Sequence, residues 1–133
     1  MAFSATLHIE GHPREQDGIN VVSCDFSFDQ QVDAAGVPIS RVSGGIINIG
    51  LKNENDYELM QWMFSNAAKN GKIVLSSGMA DNQSFQTIGF KDANLINYHQ
   101  SFSEESEVAV SLTISCREVE ISGATFTNIW GQL

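Results

Sequence analysis

Between Val108 and Arg117 apolar and polar residues alternate without a break. Val108, Val110, Leu112, Ile114 and Cys116 stand against Ala109, Ser111, Thr113, Ser115 and Arg117. A period of two marks a strand with one buried face. At Glu118 the phase reverses, since Val119 and Ile121 now carry the apolar side. A bulge, or a bend at a barrel corner, produces such a reversal. The same period runs through Phe3, Ala5, Leu7 and Ile9. It returns over Ile19–Gln31, with Val22, Cys24, Phe26 and Phe28 on one face and Ser23, Asp25, Ser27 and Asp29 on the other. Gly44–Leu51 holds Ile46, Ile47, Ile49 and Leu51, a run rich in β-branched residues that suits a central strand. Further strands are predicted over Lys72–Ser77, Ser84–Phe90 and Ala93–Ser101, with polar turns at Gly11–Gly18 and Gly78–Gln83.

One segment departs from this period. Leu59, Met63 and Ala67 fall at helical spacing, with Trp62 beside the same stripe. Asn55 is a good N-cap and Glu58 follows three residues later, an arrangement like a capping box. Asn70-Gly71 supplies a stop, so a helix is predicted from Asp56 to about Asn70. Seven or eight strands with one helix predict a mainly β fold, a small closed or nearly closed antiparallel barrel. No linker or repeat divides the chain, and residues 1–133 read as one domain.

The connection Val32–Gly45 does not fit a simple hairpin, which needs only about two to five loop residues. It carries Val32, Val37, Ile39 and Val42, apolar residues that a solvated loop does not favour. Asp33, Gly36 and Pro38 punctuate it, and Arg41 adds a cation. A loop with its own apolar anchors implies a surface that receives it, and a second copy of the chain is the simplest supplier. This segment therefore reads as an assembly element.

Charge and chemistry narrow the function further. A formal net charge of -9 with seven basic residues, nowhere concentrated, argues against nucleic acid as a partner. No run approaches the roughly 18 apolar residues of a membrane span. The opening Met-Ala-Phe-Ser-Ala-Thr-Leu-His has no cationic or apolar region of a cleavable signal. Cys24 and Cys116 sit in apolar strand patterns and read as buried, reduced thiols. Cytoplasmic synthesis follows, with any export independent of an N-terminal signal.

Of His8, His12 and His99, His8 lies on a polar strand face and His12 in a turn; both read as surface residues, and no C-x-x-C is present. No G-x-S-x-G elbow occurs. Gly45–Lys52 departs from a phosphate-binding loop in the position of Lys52 and reads as a core strand. Asp25, Asp29 and Asp33 lie on extended chain, not in the tight loop a calcium ion needs. Glu104, Glu105 and Glu107 read as a solvated turn that discourages edge pairing. No catalytic residue, metal or cofactor is assigned.

Several pieces stand in a recognisable order: Phe3–Leu7, then Cys24-Asp25-Phe26 leading into Val32-Asp33-x-x-Gly36-x-Pro38, then Ser43-Gly44-Gly45-Ile46. Trp62-Met63, Ile88–Ala93, Leu112–Cys116 and Phe126-Thr127-Asn128-Ile129-Trp130 follow. The series resembles the type VI secretion tube proteins, the Hcp or TssD family, over essentially the whole chain. The resemblance implies a non-enzymatic barrel that forms hexameric rings. It implies that the rings stack inside a contractile sheath and are expelled with a spike and effectors. In that family the extended loop reaches a neighbouring subunit or ring.

A hollow ring needs a polar face that is neither core nor ordinary exterior. Ser23, Asp25, Ser27 and Asp29 with Ser111, Thr113 and Ser115 are the candidates for a wet lumen. Two other readings compete: a tail-tube protein of a phage or similar injection particle, and a monomeric barrel holding a small apolar ligand. The last requires a roomy interior, whereas Phe26, Phe28, Phe85, Ile88, Phe90 and Leu112 are expected to fill it.

Overall fold

The computed structural model describes residues 4–52, 57–76, 84–104 and 106–128. Phe3, the Asn55 cap, Asp56, the Gly78–Gln83 turn, Glu105 and Trp130 lie outside the described residues, as do the side chains of Phe85 and Glu107. The chain runs β1 (Ser4–Ile9), β2 (Ile19–Val21), β3 (Ser23–Phe26), β4 (Ile46–Lys52), α1 (Tyr57–Ser65), β5 (Lys69–Ser76), β6 (Ser84–Ser103), β7 (Ser106–Ile121) and β8 (Ala124–Thr127). The strands form one antiparallel sheet in the order β2-β1-β5-β6-β7-β4-β3, with β8 added beside β7. The expected mainly β, barrel-like architecture with one helix is the one observed.

The strands at the two ends of this path, β2 and β3, are consecutive in the chain. Val22 joins them, and its N–H donates to the Gly50 carbonyl at 2.9 Å. The sheet thus curls back on itself. This corrects the single strand expected over Ile19–Gln31: Ile19 and Val21 are buried and Val22 is exposed, and the strand ends at Phe26. The cause is the change of partner at Val22. Ile19–Val21 pairs with β1, whereas Ser23–Phe26 pairs with β4, so the bend resets which side chains point inward.

A second bend is shared by two strands. The buried positions of β6 shift from Ile88 and Phe90 to Ala93 and Leu95, and those of β7 from Cys116 to Val119. The pairing stays in step across the bend, with Phe90 opposite Val119, Lys91 opposite Glu118 and Ala93 opposite Cys116. Both strands therefore fold over together at a corner, where the sequence pattern placed the reversal. Asp92, at φ 51°, absorbs the turn in β6, a conformation that Asp tolerates better than most residues. The two strands expected at Ser84–Phe90 and Ala93–Ser101 are consequently one.

Leu7, Ile9, Ile19, Ile47, Ile49, Ile73, Ile88, Phe90, Leu112 and Ile114 fill the interior. Phe26 is only half-buried and packs at the edge of this core. Phe28, expected inside, is exposed and lies edge-on to Phe26 and Phe126, with ring centres 6.1 and 5.1 Å away.

Helix α1 is shorter than expected. Asn66, at φ 55°, ends it, and Asn70-Gly71 lies within the next strand, β5, instead. The freed carbonyl of Ala67 accepts from Trp62 Nε1 at 2.7 Å and from Asn94 Nδ2 at 3.3 Å. Leu59 and Trp62 form the buried face, with Met63 half-buried and Ala67 beyond the last turn. Leu59→Ala is expected to cost about 2–5 kcal/mol, the usual price of a buried leucine truncation. Urea unfolding measures it, and an unchanged midpoint would mean that the helix contributes no core contact.

Candidate functional site

The connection after β3 is an arm. Asp29 and Ser43 exchange both backbone hydrogen bonds, at 2.9 and 2.8 Å, so the β3–β4 hairpin continues beyond the sheet. Further out, Ile39 N–H donates to the Gln31 carbonyl at 2.8 Å and Asp33 N–H to the Val37 carbonyl at 2.9 Å. Val32 and Pro38 form a second bridge. The tip is closed by Asp33, whose Oδ1 accepts from the N–H groups of Ala35 and Val37 at 2.9 and 3.0 Å. An aspartate at the start of a turn satisfies backbone donors in this way. Gly36 supplies the left-handed residue at φ 86°. Ser40 ties the two sides together, its Oγ accepting from Gln31 N–H at 2.9 Å.

Every residue from Ser27 to Ser43 is exposed. Val37 and Ile39 are 54% and 62% accessible, and Arg41 is exposed beside them. At its base Phe28 packs against Phe26 and Phe126 of the barrel, and beyond it the arm is ordered by its own hydrogen bonds. The residues singled out in the sequence, Asp33, Gly36, Val37, Pro38, Ile39 and Arg41, all belong to it.

The base of the arm is fixed at the corner of the sheet. Here β7 changes neighbours, pairing with β4 through Ser115 and with β8 from Glu118. Asn128 fills the junction, donating from Nδ2 to the Gly44 carbonyl at 3.2 Å and the Cys116 carbonyl at 2.9 Å. Gly45 sits under it at φ 85°, and a Cβ there would stand 2.7 Å from both Asn128 Nδ2 and the Cys116 carbonyl oxygen. A Cβ on Gly44 would overlap the ring of Phe28. The Gly-Gly pair and Asn128, noted in the sequence as separate marks, form one clasp.

A polar sheet face is the second feature. Asp25, Asn48, Thr113 and Asn97 lie opposite one another across β3, β4, β7 and β6. Asn48 links two of its neighbours, donating to Asp25 Oδ1 at 3.0 Å and accepting from Thr113 Oγ1 at 3.0 Å. Ser23, Gly50, Ser111 and His99 form the next row. Ile46, Ser115 and Asn94 form the row on the other side. The structure thus brings Ser23, Asp25, Ser111, Thr113 and Ser115 onto one face. Ser27 and Asp29 are not on it, because β3 ends at Phe26, and Asp29 serves the arm by accepting from Ser43 Oγ at 2.6 Å. Asn48, Asn97 and His99 were not singled out in the sequence, although Asn48 interrupting an isoleucine run was a usable signal.

Other titratable groups are committed locally. His8 donates from Nδ1 to the Glu15 carbonyl at 2.6 Å, and its Nε2 accepts from Thr6 Oγ1 at 2.9 Å. His12 is buried rather than at the surface, its Nδ1 accepting from Arg14 N–H at 2.9 Å in the turn after β1. Among the described residues no group of His, Cys, Asp and Glu is arranged to hold a metal ion, and no helix is long and apolar enough to cross a membrane.

Both thiols are free. Burial pushes Cys116 up to about 12, and burial with the neighbouring Asp25 charge pushes Cys24 up to about 11. Each proton is held more tightly in the folded chain than at the ordinary value of 9.0. Stability from these groups is therefore complete below pH 9 and is lost as pH rises toward 11 and 12. Urea titrations above pH 9 are expected to lose about 1 kcal/mol per pH unit through Cys116. Cys116→Ala should flatten that decline, and an equally steep decline in the variant would assign it elsewhere.

Comparison with known proteins places these features in a family. A family model, hemolysin coregulated protein Hcp (TssD), matches residues 1–131. Hcp1 from Flavobacterium johnsoniae has a similar structure at TM-score 0.81 and 25% identity, covering 94% of this chain and 99% of that one. Hcp1 from Salmonella typhimurium matches at TM-score 0.74 and 18% identity, covering 96% and 93%. A chain of the six-fold symmetrised anti-feeding prophage baseplate shares the fold at TM-score 0.56 and 8% identity, covering 91% and 92%. No curated protein matches the chain in sequence. With the family model spanning the barrel, the arm and the clasp alike, the chain belongs to the Hcp (TssD) family and is a structural tube subunit of type VI secretion, not an enzyme.

Proposed function

We propose that six copies close into a ring whose bore is lined by the polar β3–β4–β7–β6 face, and that the exposed arm connects neighbouring copies into a tube. The observation that carries this reading is the coexistence of an ordered, apolar, fully exposed arm with a wide polar sheet face in one small barrel. The free sheet edges support it. Beyond Ala93, β6 has no strand partner on its outer edge among the described residues, and β3 pairs only with β4. An unpaired edge at each side of one four-strand face lets copies join laterally. The six-fold particle containing a chain of this fold sets the expected copy number.

Six copies also concentrate a formal charge of -9 each, so specific contacts have to offset mutual repulsion. In this reading the tube assembles in the cytoplasm inside a sheath and beneath a spike. It leaves with effectors in its bore. Size-exclusion chromatography with light scattering tests the ring. A mass near six times 14.5 kDa is expected, and a mass near 14.5 kDa at micromolar concentration would refute it.

A further inference from the structure

We infer that β8 is a detachable latch on the arm: docked, it fixes the arm to the barrel, and released, it lets the arm swing while the barrel stays folded. The coupling belongs to one copy and stands whether or not copies close into a ring. The arm joins the sheet through a break in its ladder. Phe26 faces Ile47, whereas the next pair out is Asp29 with Ser43, so the return strand holds one residue more than the outgoing one. An extra residue of this kind is a bulge, and Gly45 at φ 85° supplies the left-handed conformation that one class of bulge takes. Among the described residues no backbone hydrogen bond joins Ser27 or Phe28 to Gly44 or Gly45. A gap in the ladder with two glycines on one side forms a hinge.

The chain of β8 grips both sides of this hinge. Phe126 and Asn128 stand two residues apart, and so on one face of an extended chain. Phe126 packs on Phe28 of the outgoing strand, and Asn128 Nδ2 donates to the Gly44 carbonyl of the return strand. Phe28 in turn lies so close over Gly44 that a Cβ there would overlap its ring. Yet β8 itself is weakly held. It pairs with β7 alone, after a Ser122-Gly123 turn at φ 51° and 92°. Neither Ala124 nor Phe126 belongs to the buried core or packs against it. An element with so little burial opens well below the cost of global unfolding, and its opening takes both grips off the hinge at once. Linkage runs both ways, so whatever holds the arm in its fixed pose holds β8 by the same factor.

Hydrogen exchange under a reversible lock tests the latch. Glu118 and Thr127 face each other beside the bond from Asn128 N–H to the Arg117 carbonyl, a closely spaced pair that a disulfide can span. In Glu118→Cys/Thr127→Cys the amides of Asp29 and Ser43 should exchange about tenfold more slowly oxidised than reduced, with both forms in the same assembly state. Phe126→Ala should speed the same two amides about tenfold and leave those of Ile47 and Leu112 unchanged. Phe28→Ala, made on the arm side, should speed the Asn128 amide by a similar factor. Asp29 and Ser43 rates that ignore both the lock and Phe126→Ala would show that the arm stands without β8, and the inference would fall. An Asn128 amide unmoved by Phe28→Ala would break the required reciprocity and overturn it too. Core amides that quicken with Phe126→Ala would make β8 part of the global fold, with no latch to release.

Discussion

Gly45→Ala is expected to destabilise the subunit by about 2–4 kcal/mol, more than a surface glycine has any reason to cost. Two penalties combine. At φ 85° an L-residue is strained, and the new Cβ would lie 2.7 Å from the Cys116 carbonyl oxygen, a backbone atom that cannot swing aside. Relief requires Asn128 to move as well, because its Nδ2 is equally close. Its hydrogen bonds to Gly44 and Cys116 would then weaken together. Urea unfolding reads the stability. Amide exchange over β8 and the arm base should quicken in parallel, since both are held at this clasp. A loss below about 1 kcal/mol would mean that the junction relaxes freely and is not a clasp.

Excising Gln30–Val42 and joining Asp29 to Ser43 through Asn-Gly is expected to give the opposite outcome: an unchanged barrel and no tube. Asp29 and Ser43 already form an antiparallel pair, so a two-residue turn closes the gap without distortion. All thirteen excised residues are exposed, and no core contact goes with them. Melting by circular dichroism should shift by no more than a few degrees, about the effect of a sub-kilocalorie change. Electron microscopy should then show rings and no stacks. A melting point lowered by about 10 °C would instead make the arm part of the fold.

What the sequence reveals and what it conceals follow from the range of the interactions. The alternation in β7 and the reversal near Glu118 are local, and both stand where the pattern puts them. The arm is legible because four apolar residues in a long loop contradict solvation. Val22 is misread because the bend there arises from β2 and β3 pairing with different strands, a fact of closure that no window of sequence contains. The helix stop is misplaced because Asn66 and Asn70-Gly71 are both plausible ends, and only the bonds from Trp62 and Asn94 to the Ala67 carbonyl favour the first. Phe28 alternates like a core residue, yet its strand has already left the sheet. The polar face is half legible for the same reason. Ser111, Thr113 and Ser115 belong to the cleanest strand, whereas Asn97 and His99 join them only through a register shift in β6 near Ile96.

The continuity of the arm with β3 and β4 has a mechanical consequence. Antiparallel hydrogen bonds run across the strands, so a pull along the arm loads the β4–β7 ladder in shear. The seven residue pairs from Ile46–Ser115 to Lys52–Ala109 then share the load and yield together, not one at a time as in a peeled hairpin. In the proposed tube, the arms are the joints that would carry load from ring to ring. If the arm joins copies as proposed, the joint between copies is expected to give before the subunit does, and broken tubes should release folded rings.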